Sequence, residues 1–249
     1  MDGQSWRSSW VLEALKTVVY ALLIALGIKT FLFQPFNIPS SSMEDTLLVG
    51  DYLFVSKFAY GYSNYSLPLD VDAMNGRVWS AEPERGDVVV FRLPARPWED
   101  YIKRVVGLPG DRIQMIDGVL HINGAPCKLE RVDDFVEMTA YGERRSARFR
   151  ETLPNGVQHF ILDTEPDKAG ADNTQEFVVP KDHYFMMGDN RDNSNDSRIP
   201  DSGVGMVPAR NLVGRADIIF FSTDGSAQIW EIWKWPGAFR YGRFFHTIG

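Results

Sequence analysis

Residues Trp10 to Phe33 constrain this chain more than any other stretch. Of these 24 residues only Glu13, Lys16, Thr17, Lys29 and Thr30 are polar. As a helix the segment would run for about 36 Å, enough to cross a hydrocarbon core of about 30 Å. The charge-free run between Lys16 and Lys29 is 12 residues, or about 18 Å, and lysines reaching outward to the two interfaces make up the difference. Glu13 lies one helical turn before Lys16, where the two can pair. Trp6 and Trp10 suit the headgroup level. No small-residue cleavage site follows Lys29, which disfavours a removed secretory signal. A buried helix of a soluble protein stays open. Arg7 and Lys16 on one side against Lys29 on the other favour an N-terminus inside the cytoplasm. Everything after Pro35 would then lie outside it.

The remainder has ordinary globular composition, with 44% hydrophobic and 24% charged residues in a chain of 249. The net charge of −7 supplies no basic face for nucleic acid. Acid concentrates between Asp163 and Asp201, where ten Asp and Glu meet four Lys and Arg. A single cysteine, Cys127, excludes an intrachain disulfide. Four histidines, no two of them three or four apart, argue against a histidine metal site. There is no GxSxG, HExxH or GxxxxGK[ST] pattern. The run from Asp189 to Arg198 lacks the Gly and Glu that an EF-hand loop needs.

After Pro35, short β-branched and aromatic runs predict strands at Tyr52–Lys57, Asp87–Arg92, Tyr101–Val106, Arg112–Ile116, Val119–Asn123, Gln158–Asp163, Glu176–Val179, His183–Met187 and Val213–Phe221. Asp117-Gly118 predicts a type I′ hairpin turn, and Asn123-Gly124 another turn. Residues 127–155 read as irregular and charged, an insertion rather than core. The pattern is that of a mostly β, largely antiparallel protein. The C-terminal stretch 229–245 carries Trp230, Trp233, Trp235, Phe239, Tyr241, Phe244 and Phe245 beside Lys234, Arg240 and Arg243. It reads either as a tail packed on the sheet or as a lipid-interface element.

Three segments carry chemistry. Ser40, Ser41 and Ser42 follow Pro39 directly after the apolar segment, where serines also serve as linker or cap. On the strand Tyr101–Val106, Lys103 shares its face with Tyr101 and Val105. Burial there would lower the amine's pKa and make it a usable general base, as arginine could never be. A lysine on an exposed edge strand is the alternative. The run Gly188–Arg198 suits a tight polar loop whose side chains orient another group.

Taken in order, PSSSMEDTL, VGDYLFVSKFAYG, YIKRVVGLPGDRI, GDNRDNSNDSR and NLVGRA resemble the boxes of bacterial type I signal peptidase, or leader peptidase, across most of residues 34–220. The resemblance implies a membrane-anchored serine endopeptidase with a Ser–Lys dyad and two antiparallel β regions. Ser42 is similar to the family's nucleophile and Lys103 to its general base. Ser40, with the Ser42 backbone N–H, is similar to the oxyanion hole. Ser194 resembles the serine that orients the lysine, and Asp196 and Arg198 a supporting ion pair. Phe36, Ile38, Met43, Leu47, Tyr101 and Ile102 match positions lining pockets for small side chains. Asp45 stands where the family usually has proline.

The implied organisation is a cytoplasmic N-terminus (1–9), an anchor (10–33), a catalytic β region (34–113 and 186–222), an inserted β region (114–185) and an aromatic tail (223–249). The implied activity is removal of signal peptides from exported preproteins after a small-x-small motif, outside the cytoplasmic membrane. The implied partners are those signal peptides, membrane lipid and the export machinery, with no nucleic acid, metal or cofactor. The rivals are a mitochondrial-type inner-membrane peptidase, a self-cleaving repressor of related fold and a noncatalytic membrane-anchored β scaffold.

Overall fold

The structure is a computed structural model that describes residues 3–66, 76–139, 142–163, 171–199, 204–228 and 230–248. It opens with one long helix, α1 (Gly3–Phe31). The most apolar 18-residue window of Trp10–Phe31 has a mean hydropathy of 2.0 and no buried residue; in the whole segment only Thr30, next to the strands, is buried. A helix that is apolar all round and unpacked needs a non-aqueous surrounding to cover it. Glu13 and Lys16 pair at 2.9 Å. The helix stops before the sequence expectation of Phe33, because strand β1 (Phe33–Asn37) begins there. Pro35 supplies no N–H and disfavours helical geometry at Gln34.

The next strands are β2 (Asp51–Ser56), β3 (Val88–Leu93) and β4 (Arg96–Gly107). Nine shorter strands follow: β5 (Arg112–Ile116), β6 (Val119–Ile122), β7 (Ala125–Pro126), β8 (Lys128–Arg131), β9 (Phe135–Thr139), β10 (Gly142–Ser146), β11 (Arg148–Thr152), β12 (Gln158–Leu162) and β13 (Phe177–Val178). The chain then returns through β14 (His183–Met187), β15 (Val207–Pro208), β16 (Leu212–Ser222), the short helix α2 (Trp235–Ala238) and β17 (His246–Thr247). One large sheet has the order β1-β2-β16-β3-β4-β14-β15, with β17 also on β16. The strands between β4 and β14 form smaller sheets, ordered β13-β5-β6-β7, β12-β11-β8 and β10-β9. Every pairing between named strands is antiparallel, so the protein is mostly β, as expected.

The large sheet is buried on both faces, which explains the unbroken apolar run of β3. Val88 and Val90 pack with Ile38, Met43, Leu47 and Ile102 on one side. Val89 and Phe91 pack with Val105 and Met186 on the other. Each such side chain contributes about 1.5–3 kcal/mol by leaving water. A third cluster joins Val106 and Phe185 of the large sheet to Ile113, Met115 and Leu120 of the smaller one. The β5–β6 hairpin turns at Asp117 and Gly118, with φ of 48° and 75°. Both lie in the left-handed region that the Asp-Gly pair predicts.

Residues 127–155 correct the sequence reading, because they contain β8, β9, β10 and β11 rather than irregular chain. Charge masks the strand period here. Arg148 and Arg150 both lie over the Phe160 ring, at 4.8 and 5.5 Å, and Arg131 over Phe149 at 5.4 Å. Guanidinium planes cover the aromatics where aliphatic side chains would otherwise alternate. The aromatic tail is divided. Phe239 and Phe244 pack on Phe221 with ring centroids 5.0 and 5.5 Å away. Trp230, Ile232, Trp233 and Phe245 stay exposed.

Candidate active site

Ser42 lies in the loop between β1 and β2, and Lys103 in the middle of β4. The two strands are not neighbours in the sheet; the loop after Ile38 folds back over β4. Its turn is closed by the bonds Glu44 N–H to Ser41 C=O and Leu47 N–H to Met43 C=O. Met43 and Leu47 are fully buried and hold the loop onto the sheet.

The Lys103 Nζ lies 2.6 Å from Ser42 Oγ and 3.0 Å from the Ile102 carbonyl oxygen. Lys103 is 3% exposed and Ser42 8%. Burial lowers the Lys103 pKa to about 8; Asp196 and Asp189 oppose the shift and Arg198 adds to it. Among the described residues no carboxylate forms an ion pair with this amine. The Ser40 hydroxyl is 3.5 Å from Ser42 Oγ. No described backbone carbonyl takes the Ser42 N–H, which leaves it available to an oxyanion.

The Gly188–Arg198 loop closes over this pair. Asn190 N–H donates to the Ser42 carbonyl, and Asn190 Nδ2 to the Ser41 carbonyl, each at 3.2 Å. Asn193 Nδ2 donates to Ser41 Oγ at 2.6 Å. The loop keeps its shape through Asp196, which accepts from Arg198 Nε and Nη2, each at 3.0 Å, and from Gly188 N–H at 3.0 Å. Burial alone would raise the Asp196 pKa, but the Arg198 guanidinium outweighs it and holds the carboxylate ionised. Ser194 helps this weakly, without a well-formed hydrogen bond of its own, and it makes none to Lys103.

A cleft of about 670 Å³ opens onto the pair. Among the expected pocket residues, Phe36, Tyr101 and Ile102 line it together with Ser40, Ser42, Lys103 and Ser194. Ile38, Met43 and Leu47 do not line the cleft; they lie in the core with Val88 and Val90. Asp196 and Arg198 are buried and likewise absent from the lining.

Several contributors escaped the sequence reading. Arg104 makes a buried ion pair with Asp189 at 2.7 Å and donates to Thr46 Oγ1 at 3.2 Å. Thr46 Oγ1 also donates to Asp189 at 2.5 Å. Arg191 lines the cleft and pairs with Glu151 of β11 at 2.6 Å, both fully buried. His159 packs between Glu151 and Asp189, its Nε2 3.3 and 3.9 Å from their oxygens; burial keeps its pKa low, and Arg104 acts in the same direction. The signal for Arg104 was its place beside Lys103, since consecutive strand residues enter opposite faces. Glu151 gave no signal, because its partner is 40 residues away in the chain.

The family described as "Signal peptidase, peptidase S26" matches residues 11–221. A signal peptidase I of Rickettsia canadensis is 43% identical over 232 residues, covering 90% of this chain and 84% of that protein. A signal peptidase I of Rickettsia bellii is 39% identical over 251 residues, covering 94% and 84%. The crystal structure of a signal peptidase I from Enterococcus faecalis V583 shares 24% identity, covering 54% of this chain and 97% of that one, with a TM-score of 0.31. With a serine and a buried lysine in contact, and a family match that spans most of its length, the chain belongs to the signal peptidase family S26 of serine endopeptidases.

Proposed function

We propose that this protein removes signal peptides from exported preproteins at the outer face of the bacterial cytoplasmic membrane, with Ser42 as nucleophile and Lys103 as general base. The observation that carries this reading is the 2.6 Å contact between Ser42 Oγ and a buried Lys103 Nζ. With a pKa of about 8, on the order of a tenth of the amine is neutral at pH 7. Substrate that displaces the remaining water increases that fraction.

The reaction follows from these atoms. As Ser42 Oγ attacks the scissile carbonyl carbon, its proton passes to the Lys103 lone pair. The oxyanion is held by the Ser42 N–H and the Ser40 hydroxyl. The Lys103 ammonium then gives its proton to the leaving amine, and the C–N bond breaks. Water, deprotonated by the same amine, attacks the acyl-serine, and the ammonium returns that proton to Ser42 Oγ as the ester C–O bond breaks. Ser194, Asp196 and Arg198 keep the loop over Lys103, and Ser194 orients the amine once substrate closes the site.

Two strand edges border the cleft. Among the described residues β1 pairs only with β2, which leaves its outer edge unpaired at Phe36 and Asn37. β4 pairs with β3 along Tyr101–Lys103, while β14 meets it only from Arg104 onward. An extended peptide can bond its backbone to these edges and place alternate side chains in the cleft. The chain from Phe31 to Ser42 extends no farther than about 40 Å. That tether keeps the nucleophile close to a bilayer crossed by α1, where a membrane-held substrate is locally concentrated. The exposed Trp230, Ile232 and Trp233 rest at the same lipid surface.

Cleavage of a preprotein by the full chain in lipid vesicles tests the reading. Wild type is expected to release the signal peptide, while Ser42→Ala and Lys103→Ala are inactive. Turnover by either variant would remove the dyad. A noncatalytic scaffold predicts no turnover by any of the three, and no Ser42-dependent labelling by an acylating β-lactam-type probe.

A further inference from the structure

The three residues that follow Met43 are each held by an arginine from a different part of the fold. Glu44 is 2% exposed, and its carboxylate accepts from Arg144 Nη2 of β10 at 2.7 Å. Asp45 Oδ2 accepts from Arg148 Nη1 of β11 at 3.0 Å. The Thr46 carbonyl accepts from Arg243 Nη2 of the tail at 2.9 Å. Arg144 is itself braced by Glu137 of β9 at 2.7 Å, and Arg243 by Asp51 at 2.6 Å. None of these arginines lines the cleft that opens onto Ser42 and Lys103.

We propose that Arg144 and Arg148, carried by the small sheets between β4 and β14, are positioning residues that fix the loop bearing Ser42 against Lys103, with Arg243 as a third grip from the tail. This rests on the reading of Ser42 as nucleophile. The loop needs such anchors because the Ser42 side is held mainly by Asn190 and Asn193, which belong to another loop. Lengthening the 2.6 Å Ser42–Lys103 contact by 1 Å takes the hydroxyl out of proton-transfer reach of the amine. Glu44 gives the grip its weight. A carboxylate this buried tolerates its charge poorly: burial raises its pKa, and the Arg144 guanidinium is the largest influence opposing that rise. Without Arg144 the carboxylate keeps only the 3.3 Å bond from Asn190 Nδ2 and must take up a proton or pull toward water, and either change moves the backbone two residues from Ser42. The sheets that carry Arg144 and Arg148 thus have a task in the chemistry without touching substrate.

The test is steady-state cleavage of a preprotein by the full chain in vesicles, comparing wild type with Arg144→Ala, Arg148→Ala, Glu44→Gln and Asp45→Asn. Arg144→Lys and Arg148→Lys are included in case the alanine variants fold poorly. Each loss variant is expected to lower kcat about tenfold, with KM changed less than twofold, and the lysine variants to recover most of the rate. Asp45→Asn combined with Arg148→Ala should be no slower than the slower single variant, because both remove one contact. If the variants cleave at the wild-type kcat, or if the Asp45–Arg148 pair behaves additively, the positioning role is overturned. Wild type that neither cleaves preprotein nor is acylated at Ser42 would instead overturn the reading of the site.

Discussion

Lys103 and Arg104 are consecutive residues of β4, 3% and 2% exposed, yet among the described residues only the arginine forms an ion pair. The pleat of the strand sends Arg104 to Asp189 and Lys103 to a serine hydroxyl and a backbone carbonyl. A buried guanidinium with a carboxylate stays charged. A buried amine without one can lose its proton. The chemistry of the site depends on that difference.

Lys103 therefore lowers the stability of the fold. Its native pKa of about 8 lies below the unfolded value of 10.5. Between these values the unfolded chain binds the extra proton, so this residue's penalty is complete below pH 8 and fades as pH rises toward 10.5. Lys103→Met is expected to be inactive and to resist denaturant better than wild type, by on the order of 3 kcal/mol at pH 6, with a smaller gain at pH 10. Unfolding curves at the two pH values check both the sign and the trend. Lys103→Arg is expected to be inactive as well, because a guanidinium does not deprotonate.

Ser40 lines the cleft with its hydroxyl 3.5 Å from Ser42 Oγ, and in the proposed mechanism that hydroxyl is an oxyanion donor. Ser40→Ala should lower kcat about 10²–10³-fold with KM nearly unchanged, the signature of a lost oxyanion donor. Measured kcat and KM on one preprotein separate this from a binding role.

Gly188 sits where no side chain fits. A Cβ there would lie 2.2 Å from Ser194 Oγ and 2.4 Å from the Ser42 carbonyl oxygen. Gly188→Ala must displace both or shift its own backbone, and all of these belong to the candidate site. We expect kcat to fall at least tenfold while the protein still folds. Removing the hydroxyl, as in Gly188→Ala with Ser194→Ala, relieves only part of the clash because the Ser42 carbonyl remains. Parallel kinetics and circular dichroism check this.

Glu151 holds the cleft residue Arg191 in place. Burial would raise the Glu151 pKa, but the Arg191 charge and then His159 reverse this and push it well below 4.5. The pair's stabilisation is therefore complete above pH 4.5, shrinks as pH falls below it, and is gone below the lowered native pKa. Glu151→Ala leaves Arg191 buried and unpaired and should cost about 3–5 kcal/mol near neutral pH. Denaturation of the variant should show a weaker loss of stability below pH 4.5 than wild type.

Much of this was legible in the sequence. β-Branched and aromatic runs located most strands of the large sheet, the Asp117-Gly118 turn located the β5–β6 hairpin, and β5 and His183–Met187 match their expected limits. Ser42 and Lys103 were legible through the ordered boxes that resemble the signal peptidase family; a serine cluster and a strand lysine alone also read as a linker and an edge residue. Illegible were the pairings that depend on distant chain. Glu44 with Arg144, Asp45 with Arg148 and Glu151 with Arg191 are ordinary charged residues until the fold brings them together. Strands β8 and β11 were hidden for a related reason, since arginines stacked on aromatics do not read as an apolar period. Ile38, Met43 and Leu47 were expected in the pocket because they match family positions that line it, but a tight loop needs its own core beneath it.

In the proposed mechanism Lys103 is a neutral amine when it takes the proton of Ser42. The most direct measurement is the pH dependence of kcat/KM for preprotein cleavage, which reports ionisations of the free enzyme. A neutral Lys103 gives a plateau above a midpoint near pH 8 and a tenfold loss for each unit below it. A profile that is flat from pH 6 to 9, or a midpoint at the ordinary lysine value of 10.5, would contradict it.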